Sequence, residues 1–228
     1  MMNMPPITKN LIIINVLLFF AMFVGERYGV DMNDIFGLHF FLASDFRWYQ
    51  FVTYMFMHGG FTHILFNMYA VWVFGSILER VWGSSRFLLF YIVTGVGAGL
   101  VQELVQYLYF SMNLAQYTQV NMGGGLIVPM AEYLNLWTTV GASGAVYGIL
   151  LAFAMTFPNE QLFMIPFPFP IKAKYFVMIF GALELFTGLS NNVGDNVAHF
   201  AHLGGMIFGL VMILYWRKKG KIDGPYNF

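Results

Sequence analysis

Six long apolar runs, separated by short charged, glycine-rich or proline-rich breaks, decide what this chain can fold into. They cover about residues 10–25, 61–81, 87–109, 143–157, 175–189 and 196–216. A helix crossing a bilayer core of about 30 Å needs about 20 such residues. With 59% hydrophobic and 10% charged residues among 228, no soluble domain could bury the apolar surface. The pattern predicts an all-α membrane protein, a bundle of six transmembrane helices read as a single domain over 1–228.

An even number of spans puts both termini on one side, and the basic residues say which. One set of segments holds Lys9, Arg80, Arg86, Lys172, Lys174, Arg217, Lys218, Lys219 and Lys221, and the other only Arg27 and Arg47. Positive residues stay inside, so both termini are expected in the cytoplasm, with residues 1–9 as the start and 217–228 as a short basic tail. Gly25-Glu26-Arg27 interrupts the first run without a small-residue cleavage site, which predicts a retained span rather than a signal peptide. Zero net charge argues against nucleic-acid partners. The absence of cysteine excludes disulfides, thiolate metal sites and a cysteine nucleophile.

Three connections stand out. The first outer one, from 26 to about 60, is rich in aromatics (Phe36, Phe40, Phe41, Phe46, Trp48, Tyr49, Phe51, Tyr54, Phe56), as for a segment lying in the membrane interface or an aromatic belt around span ends. The second, about 110–140, is the most loop-like stretch, with Gly123-Gly124-Gly125 and room for a short amphipathic piece near 130–137. The inner connector 158–174 carries Pro158, Pro166, Pro168 and Pro170, which forbid a continuous helix.

Polar side chains within spans are costly, so each one needs a reason. Gly141-Ala142-Ser143-Gly144 sits where a polar stretch becomes an apolar helix, and a helix start presents free backbone N–H groups to a developing anion. His63 and Asn67 lie one turn apart at the head of the second span, as catalytic donors or as interhelical glue. His199 and His202 share a face of the sixth span, after Asp195 or Asn196 as N-cap. The estimated depth of His202 matches that of Ser143, which makes a Ser–His pair reasonable with no acid required. Gly144 with Gly148, and Gly205 with Gly209, would let those two helices approach closely, while Tyr147 faces the same way as Ser143. Glu184 reads as a buried carboxyl bonded to a neighbouring helix, or as one that orients a histidine or helps open the fifth helix.

A metal site is the rival chemistry, since His58, His63, His199 and His202 could converge. The His-Glu-x-x-His pattern is missing, and Asp195 is the one carboxylate spaced in the chain to join a histidine, so no metal or other cofactor is expected.

Taken together, the residues resemble those of the rhomboids, a family of intramembrane serine proteases. The likeness rests on His58 with His63-Ile64-Leu65-Phe66-Asn67, Gly141-Ala142-Ser143-Gly144 with Tyr147, and Ala201-His202-Leu203-Gly204-Gly205 with Gly209, in that order. The resemblance implies Ser143 as nucleophile, His202 as general base and acid, and Tyr147 packed on the His202 ring. It implies an oxyanion hole from His63, Asn67 and the Ser143 amide, and makes His199 a neighbour near the cavity mouth. It further implies a cavity open to the outer side, a cap at 190–196, and substrates that are single-span membrane proteins cut after a small residue. A bacterial inner membrane is the expected home. Many members carry Trp-Arg in the first outer loop, where this chain reads Trp48-Tyr49-Gln50. The alternatives are a silent relative that binds membrane segments, and a transporter, which would show polar residues along a whole path.

Overall fold

A computed structural model describes residues 3–163, 169–190 and 198–226. Its main helices are α1 (Pro6–Arg27), α2 (Phe61–Trp82), α3 (Ser84–Asn113), α4 (Ser143–Thr156), α5 (Ala173–Ser190) and α6 (His199–Lys218). Among the described residues, all of these except α4 are long and apolar enough to cross a membrane, five in number, while α4 is a shorter apolar helix of 14 residues.

That short helix is the centre of the bundle. Its sequence, SGAVYGILLAFAMT, is rich in Gly and Ala, and α3 and α6 close in on it until most of its residues are buried. Nowhere is the approach tighter than between Gly144 and Gly205: a Cβ on Gly205 would lie 1.9 Å from the Gly144 carbonyl oxygen. Gly148 and Gly209 continue the seam one turn further on, against Thr94 and Phe90 of α3. Close backbone contact replaces the hydrophobic drive that lipid cannot supply. In contrast α1 and α5 are peripheral, with about a fifth of their apolar windows covered.

Element ends differ from the sequence expectation for identifiable reasons. The first helix starts at Pro6 because its free N–H groups find an acceptor on α2: Glu79 Oε1 takes Ile7 N–H (3.0 Å), and Oε2 takes Thr8 N–H and Oγ1–H (2.8 Å each). Ser84 Oγ–H also donates to Glu79 (2.6 Å). A cap supplied from a distant helix leaves no local sequence signal. At its far end α3 runs to Asn113, so the loop expected from 110 begins later. The last helix opens at His199 with Ala198 at the N-cap position. Asp195 and Asn196, expected there, lie outside the described residues, as do Pro166, Pro168 and nearly all of the 190–196 cap.

The two long outer connections are held to each other. Leu38–His39 pairs antiparallel with Thr138–Thr139, and His39 Nδ1 and Nε2 reach the carbonyls of Asn135 and Asp34 (3.0 and 2.6 Å). Gln50 ends the Trp48-Tyr49-Gln50 stretch, and its buried amide braces the loop. Oε1 accepts from Arg47 N–H (2.9 Å) while Nε2 donates to Asp45 O (3.1 Å) and Ile35 O (3.3 Å). The loop aromatics divide: Phe40 and Tyr54 are buried, whereas Trp48 is 80% exposed. In the second connection Gln119–Asn121 and Ile127–Pro129 form a hairpin, followed by the helix Met130–Asn135 inside the stretch expected to be amphipathic.

Candidate active site

Chain geometry at the head of α4 requires glycine. Gly141 has φ +128°, and a Cβ there would fall 2.7 Å from Cε1 and Nε2 of His63. Its N–H donates to Tyr54 O (2.9 Å), and Tyr54 donates its hydroxyl to Gly95 O on α3 (2.7 Å), so the turn before Ser143 is pinned to its neighbours. Ser143 is the first residue of α4, where backbone N–H groups have no partner within the helix.

Opposite the serine, α6 delivers His202. Its Nε2 lies 2.8 Å from Ser143 Oγ. Tyr147, one turn along α4 from Ser143, stacks on the imidazole with centroids 4.2 Å apart and planes 9° from parallel. This distance depends on the Gly144–Gly205 contact, since a wider helix separation would carry His202 out of reach.

On the third side stand His63 and Asn67. Gly59 N–H donates to His63 Nδ1 (3.4 Å), which leaves Nε2, the nitrogen facing Gly141, as the ring's proton-bearing edge. Asn67 is buried, and among the described residues its Nδ2 has no hydrogen-bond partner. A buried, unpaired amide costs about 1–3 kcal/mol and calls for a ligand to explain it. His58 packs edge-on to His63 at 5.1 Å. Burial, and next the nearby His63, push the His58 imidazole down to about 4.

A depressed imidazole makes a stability prediction. Between 6.5 and about 4 the unfolded chain takes up a proton at His58 that the folded protein does not, so stability falls as pH falls through that window. The loss should approach about 3 kcal/mol at its lower end. Thermal unfolding in detergent should show a steeper acid slope for wild type than for His58→Gln; identical slopes would mean that His58 is not held neutral.

What sequence spacing did not reveal is how the fourth side closes. Glu184, from α5, sets its carboxylate against the histidine pair: Oε2 is 3.0 Å from His202 Nδ1 and 2.5 Å from His199 Nδ1, and Oε1 accepts the Tyr147 hydroxyl. His199 Nδ1 also meets Thr187 Oγ1 at 3.1 Å. Among the described residues, Glu184, His199 and His202 are thus the group whose donor atoms could meet at one ion, all lying within 4.8 Å of one another. Two ligands about 2.0–2.1 Å from a tetrahedral zinc sit roughly 3.3 Å apart. The 2.5 Å separation here is that of a hydrogen bond between His199 and Glu184, whereas His202 Nδ1 lies 3.0 Å from the same carboxylate without hydrogen-bond alignment.

The profile of the Rhomboid domain matches residues 45–219. The chain is 30% identical to Rhomboid protease AarA of Providencia stuartii over 220 residues, covering 92% of this chain and 72% of that protein. It is 26% identical to Rhomboid protease GluP of Bacillus subtilis over 208 residues (90% and 34%), and 24% identical to Rhomboid protease GlpG of Haemophilus influenzae over 192 residues (83% and 81%).

Proposed function

The chain belongs to the rhomboid family and is a serine-type intramembrane protease, and from that premise we propose that Ser143 is its nucleophile and His202 its general base and acid. The observation that supports this most is the 2.8 Å contact between Ser143 Oγ and an imidazole already held flat by Tyr147.

In this mechanism His202 Nε2 takes the Ser143 proton as Oγ bonds to the scissile carbonyl carbon. The resulting oxyanion receives hydrogen bonds from the Ser143 N–H, Asn67 Nδ2 and His63 Nε2–H. The proton on Nε2 then passes to the leaving amine as the C–N bond breaks. Water, deprotonated by the same nitrogen, attacks the acyl group, and Ser143 leaves with that proton. His58 and Gly141 support the donors, and Gly144, Gly205 and Gly209 set the helix spacing.

Placement in the membrane follows from charge and length. The five longer helices cross the bilayer, α4 makes the sixth span together with the chain leading into Ser143, both termini lie in the cytoplasm, and the whole of 1–228 acts as one domain. A helix of 14 residues rises about 21 Å, well short of a core of about 30 Å, so Ser143 lies below the outer surface in a cavity open to that side. Substrates are single-span membrane proteins cut near that surface, and the setting is a bacterial inner membrane.

Removing a preorganised donor typically costs about 10²–10³ in rate. Asn67→Ala and His63→Ala should each lower kcat by about that factor on a reconstituted transmembrane substrate, with a smaller change in KM. If both variants retained wild-type kcat, the oxyanion assignment would fail. A binding-only relative has no use for an unpaired Asn67 amide inside the bundle, which favours the protease over its silent counterpart.

A further inference from the structure

We propose that Glu184 is a positioning residue that holds His202 in the tautomer able to accept the serine proton, so that this protein works with a Ser143–His202–Glu184 triad. The proposal rests on the dyad reading above and extends it.

A neutral imidazole has one donor nitrogen and one acceptor nitrogen. To take the proton of Ser143, Nε2 of His202 must be the acceptor, and Nδ1 must then carry the hydrogen. Left alone, the ring is free to place its proton on either nitrogen. Glu184 Oε2 lies 3.0 Å from Nδ1, out of line for a hydrogen bond, and its negative charge favours the form with the proton on that nitrogen.

The same carboxylate reaches further. Its Oε1 accepts the hydroxyl of Tyr147, the ring that stacks on His202, so one side chain sets a charge beside the base and holds the ring that covers its face. His199 Nδ1 supplies another polar contact, with Oε2. An ionised carboxylate is expensive inside a membrane protein unless its lone pairs are used. Here they are used on the groups that surround the reacting serine. The other buried residues of α5, Ala173 and Val177, lie near its opposite end, so core packing does not explain why an acid occupies this position.

During the reaction the Ser143 proton moves to Nε2 and an imidazolium forms between Oγ and the carboxylate. Glu184 stays ionised beside the Nδ1 proton, stabilising it by charge without taking it. The titratable groups around His202 are Glu184 from α5, Tyr147 from α4, His63 from α2 and His199 on its own helix. Of these, Glu184 alone brings a negative charge to Nδ1.

The test uses the full chain in proteoliposomes with a transmembrane substrate, comparing wild type, Glu184→Gln, Glu184→Asp and Ser143→Ala. Loss of the orienting carboxylate in a soluble serine protease costs about 10⁴ in kcat. With Tyr147 still stacked, Glu184→Gln should lose about 10²-fold in kcat with little change in KM, and Glu184→Asp should recover most of that. The acid limb of kcat/KM should also change in Glu184→Gln, because a neutral amide no longer stabilises the imidazolium. A purely structural role would lower the folded fraction and leave that limb in place. If Glu184→Gln folds poorly, ¹⁵N spectra of wild-type His202 decide the matter: a proton on Nδ1 in the resting enzyme supports the triad, and one on Nε2 overturns it. A folded Glu184→Gln with unchanged kcat and pH profile, beside an inactive Ser143→Ala, would overturn the triad and leave the dyad standing. An active Ser143→Ala would remove both.

Discussion

Cleavage of a reconstituted transmembrane substrate is expected to fall by a factor on the order of 10⁶ when Ser143 becomes alanine, to the background rate of the assay. Alanine suits the first turn of α4, removes a single hydroxyl and leaves the Gly144–Gly205 seam untouched, so the fold should be kept within about 0.5 kcal/mol. What disappears is the atom 2.8 Å from the base. In the proposed mechanism the two residues act as a unit, so His202→Ala should cost nearly as much, and the double variant little more than either alone. Multiplying losses in the double variant would show that the two side chains work independently.

The second large effect should come from a methyl group placed far from any proton transfer. Gly205→Ala puts a Cβ 1.9 Å from the oxygen and 2.7 Å from the carbonyl carbon of Gly144, which are backbone atoms and cannot rotate aside. The α4 and α6 backbones must separate, carrying His202 away from Ser143. Overpacking of this kind costs about 3 kcal/mol or more where no side chain can yield. A displacement of about 1 Å between reacting groups can cost about 10² in rate. We therefore expect Gly205→Ala to lose both thermal stability and activity, or not to fold. Gly181→Ala is the control, because its Cβ meets only the flexible end of Met206 at 3.1 Å. Equal stability of the two variants would mean that the glycine seam does not set the helix spacing.

The helices themselves were legible because lipid forces long apolar runs, and each run left its mark within the chain. Their small residues were legible too: Gly144, Gly148, Gly205 and Gly209 read as a close-approach pair, and the structure brings the two sets together. Spacing also grouped His63 with Asn67 and Ser143 with Tyr147, since i and i+4 positions share a helix face. Contacts made between elements were harder to read. Glu79 caps α1 from α2, and Gln50 braces the first outer loop; neither has a pattern along the chain. Glu184 was visible as a polar residue in an apolar helix, yet nothing in its neighbourhood in sequence said that it faces His202. That knowledge needs the packing of α5 against α4 and α6.

The most direct test of an activated Ser143 is covalent labelling. Purified protein in detergent would be treated with a fluorophosphonate, and the modified residue identified by mass spectrometry, with Ser143→Ala and His202→Ala run in parallel. The account predicts a phosphonyl group on Ser143 in the wild type and none in either variant. A folded wild-type protein left unlabelled while a control protease reacts, or a label on Ser143 that survives the loss of His202, would contradict it.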